Sequence, residues 1–395
     1  MSRRTRHNAR RRRAQDRAWL LVAVLLALLA AAGLFLWRSR GTAAKKPAVW
    51  EAHVVPLTGK PLSVVWDYRP LRFEAKPGMD VQAPTWLYVQ ADAQGAAVLR
   101  DLGDLGYKNF DAAAYVADAH AAGVKIWATV VSFEPELSRQ TVVTESSRAA
   151  FARDLAQWAE ETGVDGICFD FEKMDPENKD RFTALVAAAK AALPGRTVAA
   201  AVTVPLGYES TTNWYQCYDR AGLARAADYL AIMAYDGHKE KTQPVAPLPW
   251  VAKAIERTLE EVPSDRVLLG VPFYGVDFYG NAEEETQRDT ALAARELQTL
   301  LQENELTRDG ETLRVADWSK RGEWLPQWGV YEYEMTDTAG LTHRIWMEGA
   351  ESLREKGRLM ERYGLAGVAI WRGSQGTEEL WEALAEVTGK EYPDG

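Results

Sequence analysis

The segment Val164-Asp165-Gly166-Ile167-Cys168-Phe169-Asp170-Phe171-Glu172 brings two carboxylates to the end of an apolar run. Side chains of a strand alternate between its faces. Ile167, Phe169 and Phe171 then share one face, suited to packing under helices, while Cys168, Asp170 and Glu172 share the other. A polar loop beginning at the strand end would account for one carboxylate. Two on one inward face fit that account badly, because a buried charge is costly unless it is satisfied. Carboxylates two residues apart on one face lie about 6–7 Å apart at the backbone. Like charges that close disfavour double ionisation, so one pKa rises. A carboxyl kept protonated near neutral pH is a general acid, fit to give its proton to a glycosidic oxygen.

Such a pair needs a scaffold. From residue 61 onward, apolar runs rich in Val, Ile and Phe alternate with helical text. The runs are Leu62–Trp66, Thr85–Val89, Val124–Val131, Val164–Phe171, Thr197–Val204, Tyr229–Ala234, Val267–Phe273 and Ala366–Trp371. Continuous apolar runs of this length predict strands covered on both faces. Between them, Asp111–Ala122, Ser147–Thr162, Pro176–Leu193 and Trp250–Glu261 show helical spacing of apolar residues. Eight strands with intervening helices predict an α/β fold, a (β/α)₈ TIM barrel. A doubly wound open sheet is the alternative, but it calls for a glycine-rich phosphate loop after an early strand, and none is present. The first two strands are too close for a full helix. Residues 274–365 are too many for one connection. Their last part, near Glu351–Tyr363, reads as a helix. The stretch at about 276–347 reads as a small α+β insertion, helical over Thr290–Glu303 and strand-like at Arg314–Trp318, Gly329–Glu334 and Leu341–Trp346.

The 395-residue chain has a net charge of −9, which hides an asymmetry. Residues 1–40 hold ten basic side chains and one acidic, leaving 37 basic against 55 acidic in the rest, a net of −18. An acidic body argues against nucleic acid as a partner. Residues 18–37 are uncharged and dominated by Leu, Ala and Val, long enough as a helix to span roughly 30 Å of bilayer core. Arginines crowd before this segment, so the positive-inside rule keeps the N-terminus cytoplasmic and carries the rest across the membrane. A cleaved signal peptide is the other reading, though its apolar stretch would be unusually long and no small-residue cleavage site follows. The expected organisation is a basic cytoplasmic tail (1–17), a transmembrane anchor (18–37), a linker (38–60) and an extracytoplasmic barrel (61–388). The only cysteines are Cys168 and Cys217, and the five histidines are scattered. No metal-ligand spacing occurs, so neither metal nor cofactor is expected. A disulfide between the two cysteines stays open, at odds with a strand residue inside a barrel.

The carboxylate segment resembles the signature Asp-Gly-x-Asp-x-Asp-x-Glu of glycoside hydrolase family 18, which lies on the fourth barrel strand. Three further strand ends agree. Met233-Ala234-Tyr235-Asp236 resembles the family's Met-x-Tyr-Asp. Gly270-Val271-Pro272-Phe273-Tyr274-Gly275 resembles its Gly-x-Pro-x-Tyr-Gly. Trp371 closes the eighth strand, where the family has a Trp under the sugar. Pro84-Thr85-Trp86 and Ser132-Phe133-Glu134-Pro135-Glu136-Leu137 are similar to text in the bacterial cell-wall and spore-cortex branch. The resemblance covers roughly residues 61–388.

It implies a glycosidase without a cofactor, monomeric, acting on N-acetylglucosamine-containing glycans: peptidoglycan, spore cortex or chitin. Glu172 is implied as acid and then base. Asp170 is implied to orient the substrate's 2-acetamido group, whose oxygen is the nucleophile, and Tyr235 to hydrogen-bond that group. Asp236 and Tyr274 are implied to hold the sugar, and Trp371 to form its floor. Trp66 and Cys168 complete the expected substrate-binding set. Core packing is the bland alternative for Tyr235 and Trp371. Cys168 departs from the motif, standing where the family has its first inward Asp, and a thiol is a weak, usually neutral donor. Two other functions stay open: a degenerate barrel that binds such glycans, and a glycosidase using an enzyme carboxylate as nucleophile, which needs a second carboxyl on another strand about 5–5.5 Å away.

Overall fold

The structure, a computed structural model, describes residues 60–206, 213–236, 243–280 and 288–390. The basic tail, the apolar segment 18–37 and nearly all of the expected linker lie outside those residues. Among the described residues no helix is long and apolar enough to cross a membrane.

In chain order the first strands are β1 (Leu62–Tyr68), β2 (Val81–Ala91), β3 (Ala97–Asp101), β4 (Lys125–Ser132), β5 (Gly166–Phe171), β6 (Thr197–Thr203), β7 (Tyr229–Met233) and β8 (Val267–Pro272). Further strands β9 (Tyr274–Gly280), β10 (Arg288–Ala293), β11 (Glu305–Arg308), β12 (Glu311–Leu325), β13 (Val330–Asp337) and β14 (Thr342–Met347) precede β15 (Gly367–Trp371). Eight of them run parallel in the order β1-β15-β8-β7-β6-β5-β4-β2, and β1 also pairs with β2, closing a barrel.

The barrel interior is filled, not open. Trp66, Trp127 and Tyr229 share its inner layer with Ala83, Ala199, Ala201, Ala231 and Ala369. Small residues on neighbouring strands give the large rings room, and Trp127 stacks on Tyr229 with centroids 5.7 Å apart. This is how a closed sheet reaches organic-crystal density. Gly166 belongs to the same fit, since a Cβ there would lie 2.5 Å from Thr197 O and 2.7 Å from Trp127 Cδ1.

Helices cover the outside. Glu145–Thr162 opens on a capping box at Thr144 and stops at Gly163, which takes a left-handed φ of 76°. The chain then enters β5 beside Asp165, whose Oδ2 accepts from Ile126 N–H and meets His120 Nε2, each at 2.8 Å. Behind β5, the helix Lys179–Ala192 sends Phe182 onto Phe171, stacked at 5.3 Å.

Two sequence expectations need correction. Between β1 and β2 no helix forms, as the spacing predicts, but β2 is longer than Thr85–Val89. It overshoots the barrel and folds back on β3 as an antiparallel hairpin, which is not among the predicted elements. Between β8 and β15 the insertion is a six-stranded antiparallel sheet, ordered β10-β9-β14-β13-β12-β11, with the helix Ala294–Glu303. Thr290–Ala293, expected to be helical, pair with β9 instead. The helix starts where Glu296 Oε2 accepts the Ala293 N–H at 2.8 Å.

The insertion sheet holds a buried charge cluster. His343 on β14 is 3% exposed, with Nδ1 2.8 Å from Asp277 Oδ2 on β9. Its Nε2 lies 3.6 Å from Asp337 Oδ2 on β13, too long for a hydrogen bond but close enough for ionic attraction. Burial disfavours the charged ring, yet Asp277 and Asp337 outweigh it and the pKa is raised above 6.5. A raised folded-state pKa adds stability that is fully present below the unfolded value and lost as pH rises through the folded one. We therefore expect the melting temperature to fall as pH rises above about 6.5, and that slope to flatten in His343→Asn. Parallel melting curves for the two proteins from pH 6 to 9 would refute the assignment.

Candidate active site

β5 delivers the carboxyls as its alternation requires. Asp170 sits opposite Val131 in the register with β4, and the Glu172 N–H donates to Ser132 O at 3.0 Å. Lys173 then turns left-handed (φ 59°), taking the chain out of the strand. Tyr218 fixes the same strand end by donating its hydroxyl to Phe171 O at 2.8 Å.

A pocket of about 130 Å³ opens at the C-terminal ends of the strands, lined by Trp66, Asp170, Glu172, Ala201, Thr203, Tyr215, Met233, Tyr235, Asp236 and Trp371. Six of the expected site residues thus meet in one place: Asp170, Glu172, Tyr235, Asp236, Trp66 and Trp371. The two indoles form an edge-on wall with centroids 6.4 Å apart. Asp170 Oδ1 is buried and receives no hydrogen bond. Burial, with the Glu172 carboxylate adding to it, raises the Asp170 pKa well above the usual carboxylate range. The two carboxyls thus share a site that disfavours ionising both,. Tyr235 is likewise pushed up by burial and then by the carboxylates of Asp170, Asp236 and Glu172, so it is a phenol able to donate.

Tyr274 and Cys168 stand elsewhere than expected. Tyr274 does not line the pocket; its hydroxyl donates to Asp236 Oδ2, and its ring meets that of Tyr235 at 6.4 Å. It acts through Asp236. Cys168 lies one layer below Asp170, 1% exposed among the barrel-filling side chains. It therefore cannot touch a sugar in the pocket. Burial, and next the Asp170 carboxylate, push its thiol up to about 12, with Trp66, Thr129 and Ala201 as its polar neighbours. Cys217 is also buried, and the two are free thiols with no disulfide between them.

Ala201, Thr203, Tyr215 and Met233 are pocket residues that the sequence reading missed. Ala201 and Thr203 follow from the alternation on β6, had it been applied there, and Met233 opens a motif already recognised. Tyr215 is brought in by tertiary contact. Arg220, 5% exposed, donates Nε to Thr203 O at 2.8 Å and Nη2 to Tyr215 O at 3.1 Å. One buried guanidinium thus fastens two lining segments together. Among the described residues no cluster suited to a metal ion is present.

A closed parallel barrel with paired carboxyls and an indole wall at its C-terminal mouth is the architecture of a glycosidase. Residues 86–376 match the glycosyl hydrolases of family 18. The chain belongs to that family. It is similar to the cortical fragment-lytic enzyme of Bacillus anthracis, 22% identical over 258 residues, covering 65% of this chain and 57% of that enzyme. It is also similar to the di-N-acetylchitobiase of Homo sapiens, 24% identical over 304 residues, covering 67% and 74%. The chain spans 54–57% of the length of several curated Bacillus relatives it matches. Its fold is shared with the crystal structure of the Bacillus cereus spore cortex-lytic enzyme, with a TM-score of 0.68, 16% identity, and coverage of 84% of this chain and 76% of that one.

Two dry thiols give a direct check on the inner layer. Native protein at pH 8 should leave both cysteines unmodified by a thiol reagent over the time in which denatured protein yields two per chain. Rapid native modification of Cys168 would show that the layer beneath Asp170 is wet.

Proposed function

We propose that this chain hydrolyses β-1,4-linked glycans containing N-acetylglucosamine, with retention of configuration, using the substrate's own 2-acetamido oxygen as nucleophile. The observation supporting this is the buried, unpartnered Oδ1 of Asp170 beside Glu172 in a pocket that also holds Tyr235. Between them the two carboxyls keep one proton. Passed to Glu172, it goes on to the glycosidic oxygen as that bond breaks. Asp170, then ionised, accepts from the acetamide N–H and balances the positive charge on the five-membered ring formed as the acetamido oxygen attacks the anomeric carbon. Tyr235 donates to the same group. Glu172, now a carboxylate, takes a proton from the water that opens the ring. Two inversions give net retention. Neighbouring-group attack of this kind gains from effective molarities of about 10⁵ M or more.

An enzyme nucleophile on another strand is the competing mechanism, and Asp236 is its candidate. Its Oδ2 already accepts the Tyr274 hydroxyl, which weakens it as a nucleophile. The two mechanisms separate experimentally. Glycosides of N-acetylglucosamine should be cleaved while matched glucosides are not, and NMR of the fresh product should show the retained anomer. Glu172→Gln should lose about 10²-fold or more in turnover while still binding the glycan. Equal cleavage of glucosides, or an inverted product, would falsify the substrate-assisted mechanism.

The proposed substrates range over peptidoglycan, spore cortex and chitin, and the names of the relatives divide between cortex-lytic enzymes and chitobiases. The proposed setting is outside the cytoplasmic membrane, with residues 18–37 as a single-pass anchor and residues 1–17 inside. The support is the uncharged twenty-residue run behind a cluster of arginines,. Protease added outside spheroplasts should digest the barrel. A protected barrel with a clipped N-terminus would reverse the topology.

A further inference from the structure

Above the indole wall, the barrel mouth has a second group of aromatic and charged side chains. Tyr68 follows Trp66 by two positions on the same face of β1, roughly 7 Å farther out, and is 46% exposed. Two guanidiniums lie over its ring: Arg69 Cζ at 4.7 Å and Arg372 Cζ at 5.6 Å from the centroid. Arg372 directly follows Trp371, so both indoles of the wall lead into this rim.

Among the described residues, neither arginine meets a carboxylate. Arg69 donates Nε to Tyr88 Oη at 2.7 Å and Nη1 to Tyr107 Oη at 2.8 Å, both phenols. The Arg372 side chain makes no hydrogen bond or ion pair among the described residues, and its Nε is buried without a partner. Asp67, beside them in sequence, spends Oδ1 on the Tyr68 N–H at 3.0 Å. Several other arginines of this protein meet acids, Arg139 with Glu136, Arg314 with Glu305 and Arg354 with Glu386, or buried carbonyls, as Arg220 does. Two guanidiniums share one tyrosine ring and have no acidic partner among the described residues, in a body of net −18. A planar guanidinium favours a carboxylate through paired, charge-assisted hydrogen bonds. Positive charge at the mouth of an otherwise acidic protein also steers an acidic polymer toward the pocket.

We propose that the Tyr68–Arg69–Arg372 rim is a subsite for a carboxylate carried by the glycan, making an acidic N-acetylated glycan the preferred substrate over a neutral one. The proposal rests on the glycan reading of the adjoining pocket. Two sources offer this chemistry: a lactyl ether carboxylate on the sugar itself, or the carboxylates of a peptide attached to it.

The test measures binding by the full chain in detergent, carrying Glu172→Gln so that turnover does not intervene. The calorimetric probes are a neutral N-acetylglucosamine oligomer, a lactyl-bearing glycan strand stripped of peptide, and the same strand with peptides, all of matched length. A carboxylated strand should bind about tenfold tighter than the neutral oligomer at low salt, the size expected for one hydrogen-bonded charge pair. That ratio should fall toward one in Arg372→Gln, fall further in Arg372→Glu, and shrink as salt is added. A gain already present in the stripped strand assigns the lactyl carboxylate; a gain only with peptides assigns the peptide. A ratio near one in the Arg372 protein, or one indifferent to salt, overturns the subsite. So does a ratio unmoved by the substitutions in protein of unchanged melting temperature. Should Arg372→Gln fail to fold, the salt dependence of the parent protein decides alone. Turnover of the neutral oligomer by the chain with Glu172 is read separately. Absence of turnover of both the neutral oligomer and the carboxylated strands sinks the hydrolytic mechanism and leaves the binding ratio to judge the rim.

Discussion

A carboxyl kept from water at the mouth of a closed barrel is the constraint around which the rest is arranged. Asp170 has a buried oxygen with no donor and a second carboxyl two residues away on the same face. Ionising both would place like charges where solvent screens them poorly, so the pair retains a proton and titrates as a unit. A dry environment takes bulk beneath, which Trp66, Trp127 and Tyr229 supply. A fixed position takes bulk behind, which the outward face of the same strand supplies: Phe169 lies 5.8 Å from Phe171, and Phe171 stacks on Phe182. One strand thus anchors itself with its odd-numbered residues and sends its even-numbered carboxyls to the pocket.

Cys168 shows what that arrangement tolerates. An aspartate there would add a third carboxyl at a depth where even the thiol is pushed up to about 12. The thiol fills the space and adds no charge under Asp170. Asp170 Oδ1, above it, is buried without a partner. The departure from the family motif therefore lowers the charge beneath Asp170 while leaving the Asp170–Glu172 pair in the pocket.

The barrel was legible because parallel strands covered on both faces leave unbroken apolar runs, and the alternation at Asp170 and Glu172 survives in the sequence. Trp66 and Trp371 were legible as the ends of two such runs, whereas their contact follows only from β1 pairing with β15 around the closed sheet. Other features were not legible. β3 lies outside the barrel's repeating pattern, and its half-exposed residues give no clear period. Thr290–Ala293 read as helical because Ala and Leu favour helix, but the edge of β9 offered backbone partners that propensity alone does not anticipate. The roles of Arg220 and Tyr274 are tertiary. Tyr274 stood in a recognised motif, but its bond to Asp236 is tertiary, and Arg220 stood in none.

Tyr274 also changes what the insertion is. It ends the Gly270–Gly275 motif and opens β9, so the first residue of the inserted sheet is the one that holds Asp236 at the pocket. Three residues on, Asp277 meets His343 across β9 and β14. Where β14 ends, Glu348 is buried against Lys356 at 2.6 Å. Burial pushes that carboxyl up to about 7 while Lys356 pulls it down, and its charge reaches Tyr274. Buried ion pairs of this kind add little net stability but are costly to break, which fixes register more than it deepens the fold. A loosely attached sheet would let Tyr274 swing and free Asp236 to turn. Charges locked on both sides of β9 and β14 prevent that, so the insertion belongs to the framework that holds the site, as much as the barrel strands do.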